Sequence, residues 1–248
     1  MVHFVGAGPG AVDLITLRGA RLLQQADTVI YAGSLVNKKL LDDCREGCEL
    51  YDSAFMDLDE IVEVIKSAHD RGRETVRLDS GDPSIYGAIN EVMERLEELD
   101  IPYDVCPGVS SFTAAAAALK TEYMVPEKSQ SLVITRMSGR TKVPAGESLR
   151  SFAAHGCAIS IFLSMSLIDE VQRELTEGGF KPDAPAAIVY RASHEDEKIF
   201  RCTVGDLAKT AKDNSITKTA LIIVGKMLEE RGLRSKLYDT DFSTEYRK

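Results

Sequence analysis

Short apolar and β-branched runs alternate with stretches of helical periodicity through the first part of the chain, up to about residue 110. In residues 58–68, for example, apolar side chains recur at the i, i+3, i+4 and i+7 spacing of one helix face. Strands that alternate with helices assemble into a largely parallel sheet covered by helices, so this part predicts an α/β fold. The predicted strands are Val2–Val5, Thr28–Ala32, Glu49–Tyr51, Glu74–Leu78 and Tyr103–Cys106.

A polar, proline-containing segment at residues 120–129 interrupts this alternation, and a second α/β series follows it. We expect a domain boundary there, which gives an N-terminal α/β domain at 1–119, a C-terminal α/β domain at 129–228 and a C-terminal extension at 229–248. Residues 187–203 predict two strands joined by a polar turn, so the second domain should have more antiparallel character. Its predicted strands are Ser131–Thr135, Ala158–Leu163, Ala187–Tyr190, Ile199–Thr203 and Ala220–Val224.

Composition limits the classes of partner. The 248 residues carry a net charge of −9, which disfavours binding to nucleic acid. The five cysteines are odd in number and scattered, as is typical of free thiols in a reducing compartment, and Cys44 with Cys48 supplies too few ligands for a structural zinc site. The sequence has neither the pattern of a signal peptide nor an apolar run long enough to span a membrane. We therefore expect a cytoplasmic protein that holds no metal.

A glycine loop, Gly6–Ala11, directly follows the first predicted strand and fits the G-x-G-x-x-G/A pattern of dinucleotide folds. Such a fold also requires a helix that starts inside the loop and an acidic residue behind the second strand. Here Pro9 and Gly10 extend the loop, the helix is expected to start at Thr16, and the nearest acid, Asp27, precedes the second strand. Binding of a nicotinamide dinucleotide is therefore disfavoured, although a plain tight turn remains an alternative.

Two more loops follow predicted strands, Ser80–Gly87 and Pro107–Ser111. Open α/β sheets bind ligands beyond the carboxyl ends of their strands, and the amide groups at a helix start can face such a ligand. Three loops of this kind in one half of the chain predict a small-molecule site at one edge of the sheet. As separate turns, none of them would indicate more than local turn chemistry.

The ordered set of motifs VGAGPG, GDPSIYG, PGVSS, FLSM and PAAIVYRAS resembles the tetrapyrrole methyltransferases, which methylate uroporphyrinogen and precorrins with S-adenosyl-L-methionine, and the resemblance covers essentially the whole chain. Within that family, YAGSLV, PGVSSF, SQSLVITR and the late SKLYD look most like the enzymes that methylate carbon 11 of cobalt-precorrin-4 in cobalamin biosynthesis. The chain departs from the uroporphyrinogen branch, which usually has YDxLV where this chain has YAGSLV, and GGDPFxFG where this chain has SGDPSIYG.

The resemblance implies two α/β domains with a cofactor cleft between them, usually in a homodimer, and S-adenosyl-L-homocysteine as the product of the cofactor. It also implies the positions that line the cofactor, several of which would act through their backbone. These are Pro9, Gly81, Asp82, Ile85, Ser110, Ser111, Met165, Ala192, Thr219 and Ala220.

The implied reaction is displacement at a sulfonium methyl by a ring carbon, which needs alignment rather than a protein nucleophile or metal. The sequence identifies no general base, and its four dispersed histidines are interpreted as surface or structural residues. A substrate rich in carboxylates needs a local basic patch, for which the loop holding Arg136, Arg140 and Lys142 is the candidate, a solvated loop being the alternative. Two alternatives remain open. One is a methyltransferase that acts on uroporphyrinogen III, on metal-free precorrin-4 or on another precorrin, and the other is a non-catalytic module that only binds the cofactor.

Overall fold

The described part of the chain comprises residues 1–229 with Ser243 and Glu245, in a computed structural model. The C-terminal extension expected at 229–248 otherwise lies outside the described residues. The chain divides into two compact units, which we call the first and second units. The first consists of Met1–Ala114 and Arg191–Asp196, and the second of Ala115–Tyr190 and the chain from Glu197 onward.

The first unit is built on a five-stranded sheet in the order β3-β2-β4-β1-β5, and every neighbouring pair is parallel. This confirms the parallel sheet that the alternation predicts. Its strands are β1 Val2–Gly6, β2 Thr28–Tyr31, β3 Glu49–Asp52, β4 Thr75–Asp79 and β5 Tyr103–Cys106. Its helices are α1 Leu17–Gln25, α2 Leu58–Asp70, α3 Asn90–Glu98 and α4 Ser111–Leu119, the last of which continues into the second unit.

Apolar side chains cover both faces of this sheet because neighbouring residues of a strand point to opposite faces. Phe4 and Ile30 pack in one cluster with α2 and α3, whereas Val5 and Val29 pack in another. Helix α2 begins with a capping box in which Asp57 and Glu60 bind each other's backbone N–H, each at 2.9 Å. The Thr16 hydroxyl caps α1, as the expected helix start implies.

The second unit contains a mixed sheet in the order β6-β7-β10-β8-β9, in which β6 and β7 are parallel and the remaining pairs antiparallel. The antiparallel pair predicted for residues 187–203 is present as β8 and β9. The strands are β6 Leu132–Arg136, β7 Ala158–Phe162, β8 Pro185–Tyr190, β9 Lys198–Thr203 and β10 Ala220–Val224. The helices are α5 Leu149–Ala153, α6 Ile168–Glu177 and α7 Leu207–Asp213, which pack against one face of the sheet.

Within the described residues, no helix has the length and apolar character needed to cross a membrane. In that same part of the chain, no three His, Cys, Asp or Glu side chains lie together in a way that could hold a metal ion.

Candidate functional site

The loops that follow β1, β4 and β5 meet at the carboxyl edge of the first sheet, as the parallel topology requires. The Gly8 amide donates to the Gly81 carbonyl at 3.2 Å, and the Gly81 amide donates back to the Gly8 carbonyl at 2.9 Å. This pair of bonds joins the β1 loop to the β4 loop. Both glycines have positive φ, 80° at Gly8 and 66° at Gly81, a conformation that a side chain would strain.

Glycine is also required where the three loops cross, since their backbones touch. A Cβ built on Gly6 would lie 2.5 Å from the Cα of Gly108 and 2.6 Å from the carbonyl oxygen of Gly81. A Cβ built on Gly108 would lie 2.8 Å from the Cα of Gly6 and would overlap the Gly81 carbonyl. Gly6 and Gly108 therefore serve one purpose, which is the close crossing of three chain segments.

Asp82 ties the β4 loop to the β5 loop. Its Oδ2 accepts a hydrogen bond from the Gly108 amide at 2.8 Å, and its Oδ1 accepts from both the amide and the hydroxyl of Ser84. Burial opposes ionisation of this carboxyl, but the bonds from the Ser84 hydroxyl and from the two amides outweigh it and lower the pKa of Asp82. The side chain is therefore a carboxylate at neutral pH.

A groove of about 590 Å³ opens beside this crossing, within the first unit. A volume of this size is typical of small-molecule sites. Ser110 is buried at its edge, and the Ser110 carbonyl accepts from the hydroxyl of Thr113 at 2.6 Å as the loop turns into α4. The predicted cofactor residues Asp82, Ile85 and Ser110 lie together along the groove.

The strand order separates this site from a dinucleotide fold. In the dinucleotide order the first two strands are neighbours, whereas here β4 lies between β1 and β2. Helix α1 also begins only at Leu17, well after the glycine loop, and β2 is followed by a 3₁₀ turn over Gly33–Leu35. Both features agree with the sequence argument against a nicotinamide cofactor.

In the second unit, the predicted cofactor residues lie at one edge of the mixed sheet. Met165 follows the carboxyl end of β7, while Thr219 and Ala220 stand at the amino end of β10, which runs antiparallel to β7. Ser164 shapes this edge, since its hydroxyl donates to the Phe162 carbonyl at 2.6 Å and accepts from the Met137 amide at 2.9 Å. Met165 is buried and Thr219 is exposed.

Strained backbone is concentrated at these loops. Of the ten described non-glycine residues with positive φ, six lie in or beside the segments that carry predicted site residues. A left-handed conformation in such residues costs free energy and is kept where the surroundings impose it, as is common at functional sites. The six are Tyr86, Ala88, Leu163, Arg191, Ser193 and Thr219.

The basic loop after β6 divides its three predicted substrate residues between two environments. The Arg136 guanidinium donates to carbonyls of its own loop, at 3.0 Å to Thr141 and 3.2 Å to Lys142, and so holds the loop in shape. Arg140 and Lys142 are exposed. The Arg140 and Lys142 charges can therefore contact an anionic ligand, whereas the Arg136 guanidinium is bonded to carbonyl oxygens of its own loop.

Sequence reasoning missed two features of the first unit. One is a buried ion pair on β4, in which Arg77 Nε lies 3.3 Å from Asp79 Oδ1 just before the β4 loop. The other is a set of side chains, Asn37, Ser193 and His194, that hold the backbone of the β1 loop. The period-two alternation places Arg77 and Asp79 on one strand face and could have identified the pair, but no spacing signals the contacts between distant loops.

The fold and the candidate site together describe an α/β protein whose glycine-crossed loops border a groove of the size typical of small-molecule sites. The family model for tetrapyrrole (corrin/porphyrin) methylases matches residues 1–208, so the chain belongs to the tetrapyrrole methylases. It is 50% identical to the cobalt-precorrin-4 C(11)-methyltransferase of Methanocaldococcus jannaschii, over all of this chain and 96% of that protein. It is 42% identical to the precorrin-4 C(11)-methyltransferase of Pseudomonas aeruginosa, over 99% of this chain and 98% of that protein.

Solved structures agree with this family. A cobalt precorrin-4 methyltransferase, described as a cobalamin biosynthetic enzyme, superposes with a TM-score of 0.90 at 42% identity, covering 92% of this chain and 95% of that one. The uroporphyrin-III C-methyl transferase of Thermus thermophilus, complexed with S-adenyl homocysteine, gives a TM-score of 0.77 at 26% identity, covering 94% of this chain and 95% of that one. The tetrapyrrole methylase fold expected from the motifs is thereby confirmed.

Proposed function

We propose that this chain is an S-adenosyl-L-methionine-dependent methyltransferase that methylates carbon 11 of cobalt-precorrin-4, or of precorrin-4, in the corrin pathway of cobalamin biosynthesis. The observation that carries the proposal is the crossing of Gly6, Gly81 and Gly108 beside the groove of the first unit. The choice of substrate is supported by the full-length likeness to the cobalt-precorrin-4 and precorrin-4 C(11)-methyltransferases.

The chemistry of the groove fits a nucleoside-bearing amino acid. Asp82 offers a carboxylate whose remaining lone pairs can accept from hydroxyl or ammonium groups of a ligand, and glycine backbone allows close approach to a flat ring. When bound, S-adenosyl-L-methionine supplies a methyl carbon that is already activated by a positive sulfur. The residues proposed to hold it are Pro9, Gly81, Asp82, Ile85, Ser110, Ser111, Met165, Ala192, Thr219 and Ala220.

The protein's contribution is orientation. An aligned pair of reactants can lower a barrier by roughly 7 to 11 kcal/mol in favourable intramolecular models, without any nucleophile from the enzyme. The loops after β1, β4 and β5 suit that task because their mutual hydrogen bonds and glycine contacts leave them little freedom. Exclusion of water from the groove would preserve the alignment.

For the tetrapyrrole carboxylates we propose Arg140 and Lys142, on a loop whose shape Arg136 maintains. Arginine binds carboxylates through paired N–H donors, which suits this role. Arg140→Ala should raise the KM for the tetrapyrrole and leave the affinity for S-adenosyl-L-homocysteine unchanged. An unaltered KM for the tetrapyrrole would show that Arg140 does not bind the substrate.

We further propose a cytoplasmic homodimer whose chain is organised as domains 1–119 and 129–228. The dimer and the location are supported by the family resemblance and by the scattered thiols. Light scattering of the purified chain tests the dimer, and a molar mass equal to that of one chain would exclude it.

The central test is anaerobic incubation with S-adenosyl-L-methionine and, in separate reactions, cobalt-precorrin-4, metal-free precorrin-4 and uroporphyrinogen III. Mass spectrometry detects one added methyl group, and NMR locates it on the ring. We expect methylation of a precorrin-4 form at carbon 11 and none of uroporphyrinogen III, and comparison of the two precorrin-4 reactions shows whether cobalt is required. If S-adenosyl-L-homocysteine binds but no substrate is methylated, the proposed activity is wrong.

A further inference from the structure

The loop that joins β8 to β9 binds the backbone of the β1 loop. This connecting segment, Arg191–Asp196, belongs to the first unit although both strands belong to the second. The Ser193 Oγ accepts a hydrogen bond from the Ala11 amide at 3.0 Å, and the His194 ring is hydrogen-bonded to the backbone of Pro9. Gly10, which lies between Pro9 and Ala11, is held as well, since Asn37 Nδ2 donates to the Gly10 carbonyl at 2.8 Å. Side chains therefore fix three consecutive residues of the β1 loop.

The neighbours of His194 determine which ring nitrogen carries the proton. Arg191 Nη2 lies 3.1 Å from His194 Nδ1, and a guanidinium can only donate, so Nδ1 accepts and the proton resides on Nε2. That N–H suits the Pro9 carbonyl, which can only accept. Asp196 holds Arg191 in place through a 2.7 Å bond from Arg191 Nε. Burial, followed by the charge of Arg191, lowers the pKa of His194, so the neutral ring prevails at neutral pH.

The His194 ring also explains why residue 10 is glycine. A Cβ built on Gly10 would lie 2.6 Å from His194 Nε2 and 2.8 Å from its Cγ, so the ring rests directly on the Gly10 backbone. The φ of Gly10 is not in the left-handed range, and the glycine is thus required by the ring rather than by the backbone conformation. In the same Arg191–Asp196 segment, Arg191 (φ 48°) and Ser193 (φ 65°) adopt left-handed conformations, which cost free energy.

We propose that Ser193 and His194 are positioning residues for the methyl donor. They hold the Pro9–Ala11 backbone in the conformation that the donor meets, and thereby set its affinity without contacting the reacting carbon. The inference rests on the proposed function, in which Pro9 lines the donor site.

Calorimetric titration with S-adenosyl-L-homocysteine provides the test. We expect His194→Ala and Ser193→Ala each to weaken binding about tenfold, the effect of one lost hydrogen bond. The conservative variants His194→Gln and Ser193→Thr keep a donor and an acceptor respectively, and should recover most of the affinity. His155→Ala, at an exposed histidine of the second unit, is the matched control and should bind as the wild type does.

A double substitution separates positioning from general loss of folding. Gly10→Ala should weaken binding because its methyl group displaces the His194 ring. With the ring removed the methyl group has room, so Gly10→Ala combined with His194→Ala should bind no worse than His194→Ala alone. Additive losses would overturn the proposal.

Two further measurements complete the test. In the ligand-free protein, ¹⁵N NMR of the imidazole should report the proton on Nε2, and a proton on Nδ1 would contradict the inferred hydrogen bond. In the methylation reaction, the KM for S-adenosyl-L-methionine should rise about tenfold in His194→Ala while the KM for the tetrapyrrole stays constant. If the wild type binds no S-adenosyl-L-homocysteine, the proposed function fails; if the wild type and both alanine variants bind it equally, only this inference fails.

Discussion

The two sheets place the loops that carry the predicted site residues in different ways. In the first unit all strands are parallel, so the loops after β1, β4 and β5 reach one edge and cross through glycine backbone. In the second unit β10 runs against its neighbours, and the corresponding edge combines carboxyl ends of strands with the amino end of β10. That edge is shaped by non-glycine residues in left-handed conformations, Leu163 and Thr219, and by the hydroxyl of Ser164. The glycine crossing is therefore a feature of the parallel sheet, whereas at this edge of the mixed sheet the Ser164 side chain joins two segments.

The largest effect is expected from Gly108→Ala. The added Cβ overlaps the Gly81 carbonyl and crowds the Cα of Gly6, and neither backbone atom can move without disturbing a strand. We expect destabilisation by about 3 kcal/mol or more and loss of S-adenosyl-L-homocysteine binding, measured by urea unfolding and calorimetry. Gly146→Ala in the second unit is the control, because a Cβ there meets nothing within 4 Å. Normal binding by Gly108→Ala would show that the crossing is not required.

The free energy of unfolding of the wild type is expected to depend on pH through Asp79, and that of Asp79→Asn is not. Burial raises the pKa of this carboxyl to about 6, although Arg77 opposes the rise. Since the folded pKa exceeds the unfolded value of 3.8, the resulting stability is complete below that value and is lost as the pH rises through about 6. Between about pH 4 and about pH 7 the wild type should therefore lose up to about 3 kcal/mol relative to Asp79→Asn.

Urea unfolding at a series of pH values measures this difference. Asp183→Asn, at an exposed carboxylate of the second unit, should follow the wild type throughout. Identical pH profiles for the wild type and Asp79→Asn would contradict the role assigned to burial.

A smaller effect is expected from Asp82→Asn. An amide retains one acceptor oxygen, so either the Gly108 amide or the Ser84 amide loses its partner. Hydrogen bonds to charged groups contribute about 1.5–3 kcal/mol, and we expect affinity for S-adenosyl-L-homocysteine to fall about tenfold or more. Asp206→Asn, an exposed aspartate bonded to Thr203 at 3.0 Å after β9, should leave affinity unchanged. If the wild type, Asp82→Asn and Asp206→Asn all bind with equal affinity, the Asp82 hydrogen bonds between the β4 and β5 loops are not needed for ligand binding.

The smallest effect should be the same in both units. Asp57→Ala removes the cap of α2 and Ser148→Ala removes the cap of α5, and each should lower the free energy of unfolding by about 1 kcal/mol. Both caps act locally, so ligand affinity should not change. A loss of affinity in Asp57→Ala would mean that the first unit transmits helix stability to its site.

The sequence by itself determined the elements and the family. Hydrophobic periodicity located the ten strands of the described residues to within about two residues, because burial on one or both faces imposes a repeat that can be read locally. The glycine motifs were equally readable, since tight turns after strands leave few alternatives to glycine. Even the antiparallel pairing of β8 with β9 followed from a short polar turn between two apolar runs.

Only the tertiary structure decided how these pieces meet. The insertion of β4 between β1 and β2 has no local signature, yet it brings Gly81 against Gly6 and excludes the dinucleotide order. The return of Arg191–Asp196 to the first unit likewise places His194 on Gly10 across more than 180 residues of chain. Such contacts depend on long-range packing, in which the partner of a residue is fixed by topology rather than by its neighbours in sequence.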